Sequence, residues 1–333
     1  MRYYDNNLWL KFVNFSTKKK INFVLSYLGI KTVVYFLVYT FLSFFLNNNM
    51  PFIRRVIFNI LKKKSEYVFV ENNKKEKFIL FSYDKVISQE IFTQSEFDLS
   101  KLYQVLEILK RDYEINKIYD IGANLGTICI PAVKRGLVQK AIGIEPEPQN
   151  YKLLKMNIIL NNLENNIKIY NTALSSENEK TMLMELSTDN SGDHRIRTDQ
   201  VGDDVYDEKK RKTIDVSSKT FDSMFPTINR KHDLIWIDTQ GHEAKILSGA
   251  NNLITSGAPV VMEFWPYALK RSNSFGDLKK IIVKFKYFYD LSDSDLKKIK
   301  VTSSSIDLLF SGWKEEKKTK ENFALFTDLL LLS

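Results

Sequence analysis

The chain has 333 residues, 44% of them apolar, enough for one large buried core or a core with an appendage. Its single cysteine, Cys129, rules out an internal disulfide and points to a reducing compartment, the cytoplasm. The net charge of +9 sits at the N-terminal end: residues 1–77 carry +10 and the remainder −1, so the body lacks the basic surface that nucleic-acid enzymes set beside their sites.

Residues 1–65 form a basic, apolar segment ahead of a body spanning 66–333. Ile21–Leu46 holds one charge, Lys31, and its uninterrupted part, Thr32–Leu46, is 15 residues long, short of the roughly 20 that span a bilayer. After it, Pro51–Lys64 reads as a basic amphipathic helix with Phe52, Ile53, Val56, Ile57, Ile60 and Leu61 at helical spacing. Three readings stay open: a helical cap on the body or on a second copy, an anchor lying in the inner face of a membrane, and a single span. Positive charge on both flanks gives little asymmetry to orient a span. The absence of a small-residue cleavage site argues against a signal peptide.

Tyr67–Val70 and Phe78–Phe81, separated by a charged turn, predict a hairpin, and Ile91–Leu109 reads as one helix. The organising stretch is Lys117–Pro146. A short apolar run, Ile118–Ile121, breaks into Gly122-Ala123-Asn124-Leu125-Gly126, continues as a helix to about Arg135, and is followed by a second run, Ala141–Ile144, that ends on Glu145-Pro146. Strand, glycine loop, helix and strand is the order of a βαβ unit with a parallel sheet, in which ligands bind beyond the carboxyl ends of the strands. An acid at the second strand end can accept two ribose hydroxyls. A dinucleotide loop needs a second glycine where Asn124 stands, so a pyrophosphate fits poorly, and Asp120 favours a cationic ligand. These points weigh against an NAD-dependent oxidoreductase, and the intact loop weighs against a catalytically silent, membrane-tethered binding module.

Downstream, Pro146–Asn162 reads as a helix, Ile167–Leu174 as the third strand and Thr181–Leu186 as an extra strand. Ser187–Lys212 is a long polar stretch holding Asn190-Ser191-Gly192-Asp193-His194-Arg195, and such long loops are often functional. Asp233–Asp238 is a buried strand ending in an acid, followed by Thr239-Gln240-Gly241-His242-Glu243 and a helix. Pro259–Phe264 is the next strand, ending at Glu263 before Trp265 and Tyr267, aromatics that either stack on a sugar ring or fill core. A helix near Gly276–Phe285, a strand Tyr287–Leu291 and a final apolar run to Leu332 complete an α/β sheet of mostly parallel strands with helices on both faces.

Asp120-x-Gly122-x-x-x-Gly126 with Glu145 resembles the cofactor site of class I S-adenosylmethionine-dependent methyltransferases. Together with Asn157 and Asn161, Asn190–Ile196 and Ile237–Glu243, it resembles the FkbM family of methyltransferases over roughly residues 90–333. The resemblance implies a seven-stranded Rossmann-like sheet and S-adenosylmethionine as cofactor. It also implies methyl transfer, usually to oxygen and often to a sugar hydroxyl of a glycan, glycolipid or glycosylated metabolite. On that reading Asp120, Gly122, Ala123, Asn124, Gly126, Glu145, Pro146, Thr172 and Ala173 hold the cofactor, with Glu90 and Glu96 near its amino-acid end. Asp238, His242 and His194 are candidates for the base, and Asn190, Asp193, Arg195 and Glu263 for acceptor binding. A divalent cation on Asp238 and Glu263 is the alternative use of those acids, while Glu243 would hold its loop through backbone amides.

Overall fold

The computed structural model describes residues 51–198, 205–311 and 326–333. Met1–Ile57 and Phe58–Ser333 are separate compact units; the fold below is that of the second. The apolar run Ile21–Leu46 and its three readings lie outside the described residues, among which no helix is long and apolar enough to cross a membrane.

The strands, in chain order, are β1 (Tyr67–Glu71), β2 (Lys77–Phe81), β3 (Lys117–Ile121), β4 (Lys140–Ile144), β5 (Ile167–Tyr170), β6 (Ala173–Leu174), β7 (Thr181–Leu186), β8 (Arg195–Ile196), β9 (Lys212–Lys219), β10 (Asp233–Ile237), β11 (Val260–Phe264), β12 (Tyr287–Asp290), β13 (Ile299–Lys300) and β14 (Thr327–Leu332). The main sheet runs β13-β12-β14-β11-β10-β3-β4-β5, with β14 antiparallel to both neighbours and β3, β4, β5, β10 and β11 mutually parallel. Seven of these strands match the number expected, and the two-residue β13 extends the sheet at one edge. The strands β10 and β11 are buried along their whole length, because a parallel sheet covered on both faces selects continuous apolar runs rather than alternating ones. The chain winds outward from β3 in both directions, so the crevice between β3 and β10 is the switch point where a ligand fits.

The hairpin β1–β2 forms as predicted, and its outer edge is closed by a helix instead of a strand. Asn157, on the helix Pro148–Leu160, and Asn161, which caps its C-terminus one turn on, each accept an amide hydrogen from β2 and donate to a carbonyl of it: Ile79 N to Asn157 2.7 Å, Lys77 N to Asn161 3.0 Å, Asn161 to the Lys77 carbonyl 2.8 Å and Asn157 to the Ile79 carbonyl 3.3 Å. Four helical residues rise about 6 Å and two strand residues about 6.6 Å, so the two spacings match.

Three expectations need correction. The helix drawn over Ile91–Leu109 is two, Ile87–Gln94 and Leu99–Leu109, broken where Ser95 and Asp98 take positive φ of 78° and 54°. The strand drawn over Ile167–Leu174 is also two, since the chain leaves the main sheet after Tyr170 and Ala173–Leu174 joins a small sheet of order β6-β9-β7-β8. That sheet turns Ala173, Met184 and Val216 into a small apolar cluster. The helix after the glycine loop begins only at Cys129.

Candidate active site

The loop after β3 owes its path to two glycines with different tasks. Gly122 has φ +88°, and a Cβ there would stand 1.9 Å from the backbone oxygen of Asp238, so only glycine lets β3 and β10 end this close together. Gly126, φ +90°, is packed from the other side, where a Cβ would meet the Ile130 side chain at 2.5 Å and Leu154 at 2.9 Å. Between them Asn124, φ 49°, donates its backbone amide to the Glu145 carboxylate at 2.8 Å. The other Glu145 oxygen accepts the Glu147 amide at 2.8 Å. Each carboxylate oxygen keeps a second lone pair for a hydroxyl.

Two hollows open at these strand ends. The smaller spans about 530 Å³, part of it open to solvent, with Glu145, Pro146, Thr172, Ala173, His194 and His242 among its walls and Met184, Ile196 and Ile246 as apolar cover. The larger spans about 1130 Å³, also partly open to solvent, and is lined by Asp98, Lys101, Asp328, Glu263, Trp265 and Asn190, among others. Gly122, Asn124, Gly192, Asp238 and Gln240 line both. Ser191, in the wall of the smaller hollow, is tied down on both sides: its carbonyl accepts the side-chain amides of Asn124 and Asn150 at 2.8 and 3.0 Å, and its hydroxyl donates to Asp84 at 2.6 Å. The side-chain oxygen of Asn150, in the wall of the smaller hollow, is buried without any donor.

Burial holds the acids of the site above the ordinary carboxylate range, and a cation beside them would favour their ionised form. Burial, with Glu147 and Asp120 nearby, raises Glu145 to about 8, and burial followed by Asp328 raises Asp238 to about 7. Glu263 is pushed well above the carboxylate range by burial and then by Asp238. The side-chain nitrogen of Gln240 donates to Asp238 at 2.9 Å and to both oxygens of Glu263 at 3.2 and 3.3 Å. Glu243 holds the loop as expected, accepting the Thr239 amide and hydroxyl and the Gly241 amide.

The model of the methyltransferase FkbM domain matches residues 120–289. The chain belongs to the FkbM family of S-adenosylmethionine-dependent methyltransferases. No curated protein matches it by sequence. Among solved structures, it is similar to the FkbM methyltransferase of Methylobacillus flagellatus at 14% identity, covering 74% of this chain and 55% of that one, TM-score 0.36. It is also similar to P. horikoshii TYW2 in complex with MeSAdo, at 16% identity, covering 80% and 72%, TM-score 0.37.

Within this FkbM chain the residues present fit the family's cofactor. Its sulfonium and ammonium call for carboxylates, its ribose for Glu145, and the orphaned Asn150 oxygen is an acceptor suited to a hydroxyl or amino hydrogen. Of the expected cofactor residues, Gly122, Asn124, Glu145, Pro146, Thr172 and Ala173 line the smaller hollow. Asp120, Ala123 and Gly126 stand behind it, outside both walls. The carboxylate of Asp120 turns away from the hollows and accepts the Cys129 amide at 3.1 Å, which starts the following helix. Ala123 packs beside Gly143. Glu90 and Glu96 do not line the hollows either; Glu96 pairs with Arg135 at 3.0 Å, and the break between the two helices presents Asp98 instead.

The candidate bases separate by geometry. The Nδ1 of His194 accepts the Ser187 amide at 3.0 Å, which puts its proton on Nε2, and burial lowers its pKa to about 4, so it is a donor at neutral pH. His242, likewise lowered to about 4 by burial, lines only the smaller hollow, with Nε2 3.1 Å from the Ser175 hydroxyl. Asp238 faces both hollows.

Asp193 and Arg195, expected to bind the acceptor, both line the larger hollow with their charges engaged by other protein groups. Arg195 is 2% exposed, bonded to Asp193 at 2.6 Å and Glu208 at 3.0 Å, and packed against the rings of Trp265 and Tyr206. Tyr267 is buried in this cluster and fills core, whereas Trp265, packed in the same cluster, also lines the larger hollow. Asn190 uses its side-chain oxygen to accept the Gly192 amide at 2.9 Å and keeps its amino hydrogens for the larger cleft. The donor set does not fit a metal: the Gln240 amide puts hydrogens between Asp238 and Glu263, and among the described residues no group of three or more His, Cys, Asp and Glu is placed to hold an ion. Asn150, Ser191, Gln240 and Asp328 escaped the sequence reading. Only Gln240 and Ser191 carried a signal, lying inside motifs already singled out.

Proposed function

We propose that this FkbM methyltransferase methylates a sugar hydroxyl, with the cofactor's nucleoside in the smaller hollow and the acceptor in the larger cleft. The observation that carries this reading is the position of Asp238, a carboxylate at the end of β10 in the wall of both hollows and raised to about 7 by burial. Bound there, the cofactor supplies a methyl group on cationic sulfur, whose S–C bond breaks as the acceptor's O–C bond forms. Asp238 takes the hydroxyl proton, and a base with a pKa near the working pH is well matched to that task. Gln240 fixes its carboxylate, Glu145 and Asn150 orient the ribose, and Ser191 holds Asn124 and Asn150 in place beside it. Orientation supplies much of the rate.

Mass spectrometry of cell-envelope glycans, treated with the protein and S-adenosylmethionine, checks the reading. A methyl-for-hydrogen mass gain on a hexose is expected, with Asp238→Asn slowing it by roughly 10²–10⁴-fold. Methylation confined to protein or small amines, or undiminished in Asp238→Asn, overturns it.

A further inference from the structure

The walls of the larger cleft carry five carboxylates, Asp98, Asp193, Asp238, Glu263 and Asp328, against two cations, Lys101 and Arg195. Both cations are already spent. Lys101 lies 2.6 Å from Asp328 and 3.1 Å from Asp98, and Arg195 is buried against Asp193 and Glu208. An acceptor bearing a carboxylate, phosphate or sulfate would meet carboxylates and find, among the described residues of the wall, no cation free to receive it.

Two of these acids, Asp238 and Glu263, have no ion-pair partner among the described residues. Glu263 is 4% exposed and stands directly opposite Asp328 across β11 and β14, an arrangement of like charges that costs stability. Lys101 relieves Asp328. Among the described residues Glu263 makes no ion pair; Arg195 acts on it only from a distance, and its hydrogen-bond partner is the neutral side-chain amide of Gln240 at 3.2 and 3.3 Å. That same amide nitrogen reaches Asp238 at 2.9 Å, so a single donor bridges the proposed base and Glu263. Two substituents on neighbouring ring carbons have a comparable span: a hydroxyl at Asp238 sets its neighbour at Glu263. Phe97 and Phe326 supply apolar surface in the same cleft for a ring's carbon skeleton.

Resting on the glycan reading above, we propose that the acceptor is an amino sugar, its protonated amine held by Glu263 beside the hydroxyl that Asp238 deprotonates. The acidic cleft selects against uronates and sugar phosphates, and the amine balances a carboxylate that no ion pair among the described residues neutralises.

The test uses the full-length protein saturated with S-adenosylhomocysteine, which already supplies the cofactor's own ammonium, so that any further preference for an amine belongs to the acceptor. Calorimetric titration compares a methyl glucoside, the corresponding 2-amino glycoside with its amine protonated, and the glucuronide. The amino glycoside is expected to bind roughly tenfold tighter than the glucoside, the worth of one charge-assisted hydrogen bond, and the glucuronide weakest. Glu263→Gln, whose fold is verified by its affinity for S-adenosylhomocysteine, brings the amino glycoside down to the level of the neutral one. If that variant does not fold, the order measured on the unmodified protein decides alone. Equal binding of all three, tighter binding of the glucuronide, or a preference that survives in folded Glu263→Gln overturns the inference and leaves the glycan reading standing. Failure of every glycoside to bind overturns both.

Discussion

The backbone oxygen of Asp238 occupies the space where a side chain on Gly122 would begin, 1.9 Å from an ideal Cβ. Gly122→Ala therefore forces β3 and β10 apart at their carboxyl ends, besides straining a φ of +88°. Chemical denaturation should show a loss of roughly 2–4 kcal/mol, and cofactor binding should disappear. Gly136→Ala, also at positive φ but with nothing within 4 Å of its Cβ, should cost only the backbone strain of about 1–2 kcal/mol and leave binding intact.

Glu145 rises from 4.5 to about 8 and Asp238 from 3.8 to about 7. An acid whose pKa is raised by folding binds more protons in the folded state, so stability falls as pH climbs from the ordinary carboxylate values through the folded ones. Melting of the cofactor-free protein is thus expected at lower temperature at pH 8 than at pH 6. S-adenosylmethionine, being cationic, should narrow that difference more than S-adenosylhomocysteine, whose sulfur is neutral.

The same sign governs activity. With Asp238 as base, kcat/KM should rise with pH through about 7 in the unmodified enzyme, and the rise should be missing from the residual rate of Asp238→Asn. His194→Gln, removing a ring held neutral near pH 7 by its value of about 4, should leave the pH profile in place.

Asn157 and Asn161 are buried, and each satisfies two backbone groups of β2. Replacing either with Ala leaves amide and carbonyl groups unpaired, and urea denaturation should register a loss of about 1–3 kcal/mol for each. The double variant should lose less than the sum, because the first loosens the hairpin edge on which the second acts.

Much of the fold was legible because its parallel strands are short, continuous apolar runs bounded by glycine, proline or an acid, as at Ile118–Ile121 and Asp233–Asp238. The helix break at Ser95–Asp98 was not, since its helical periodicity survives on both sides and positive φ at a serine or aspartate leaves no mark in composition. At the site, residues whose chemistry is exercised at their own strand end, Glu145 and Asp238, could be found from position. Those whose side chains are recruited elsewhere could not: Asp120 reads as a ligand acid until its bond to the Cys129 amide is seen, and Arg195 until its partners Glu208 and Trp265, 13 and 70 positions away, close around it. Asn150 is the converse, one more polar residue on a helix face until Ser191 takes its amino group and leaves its oxygen without a donor.

The central claim is that a carboxylate-edged hollow at the ends of β3 and β4 receives a cationic sulfur nucleoside and not a dinucleotide. Calorimetric titration of the full chain with S-adenosylmethionine and with NAD, repeated on Glu145→Ala, measures this directly. The account predicts saturable binding of S-adenosylmethionine that is lost in the variant, and none of NAD. Binding of NAD, or S-adenosylmethionine affinity unchanged in Glu145→Ala, would contradict it.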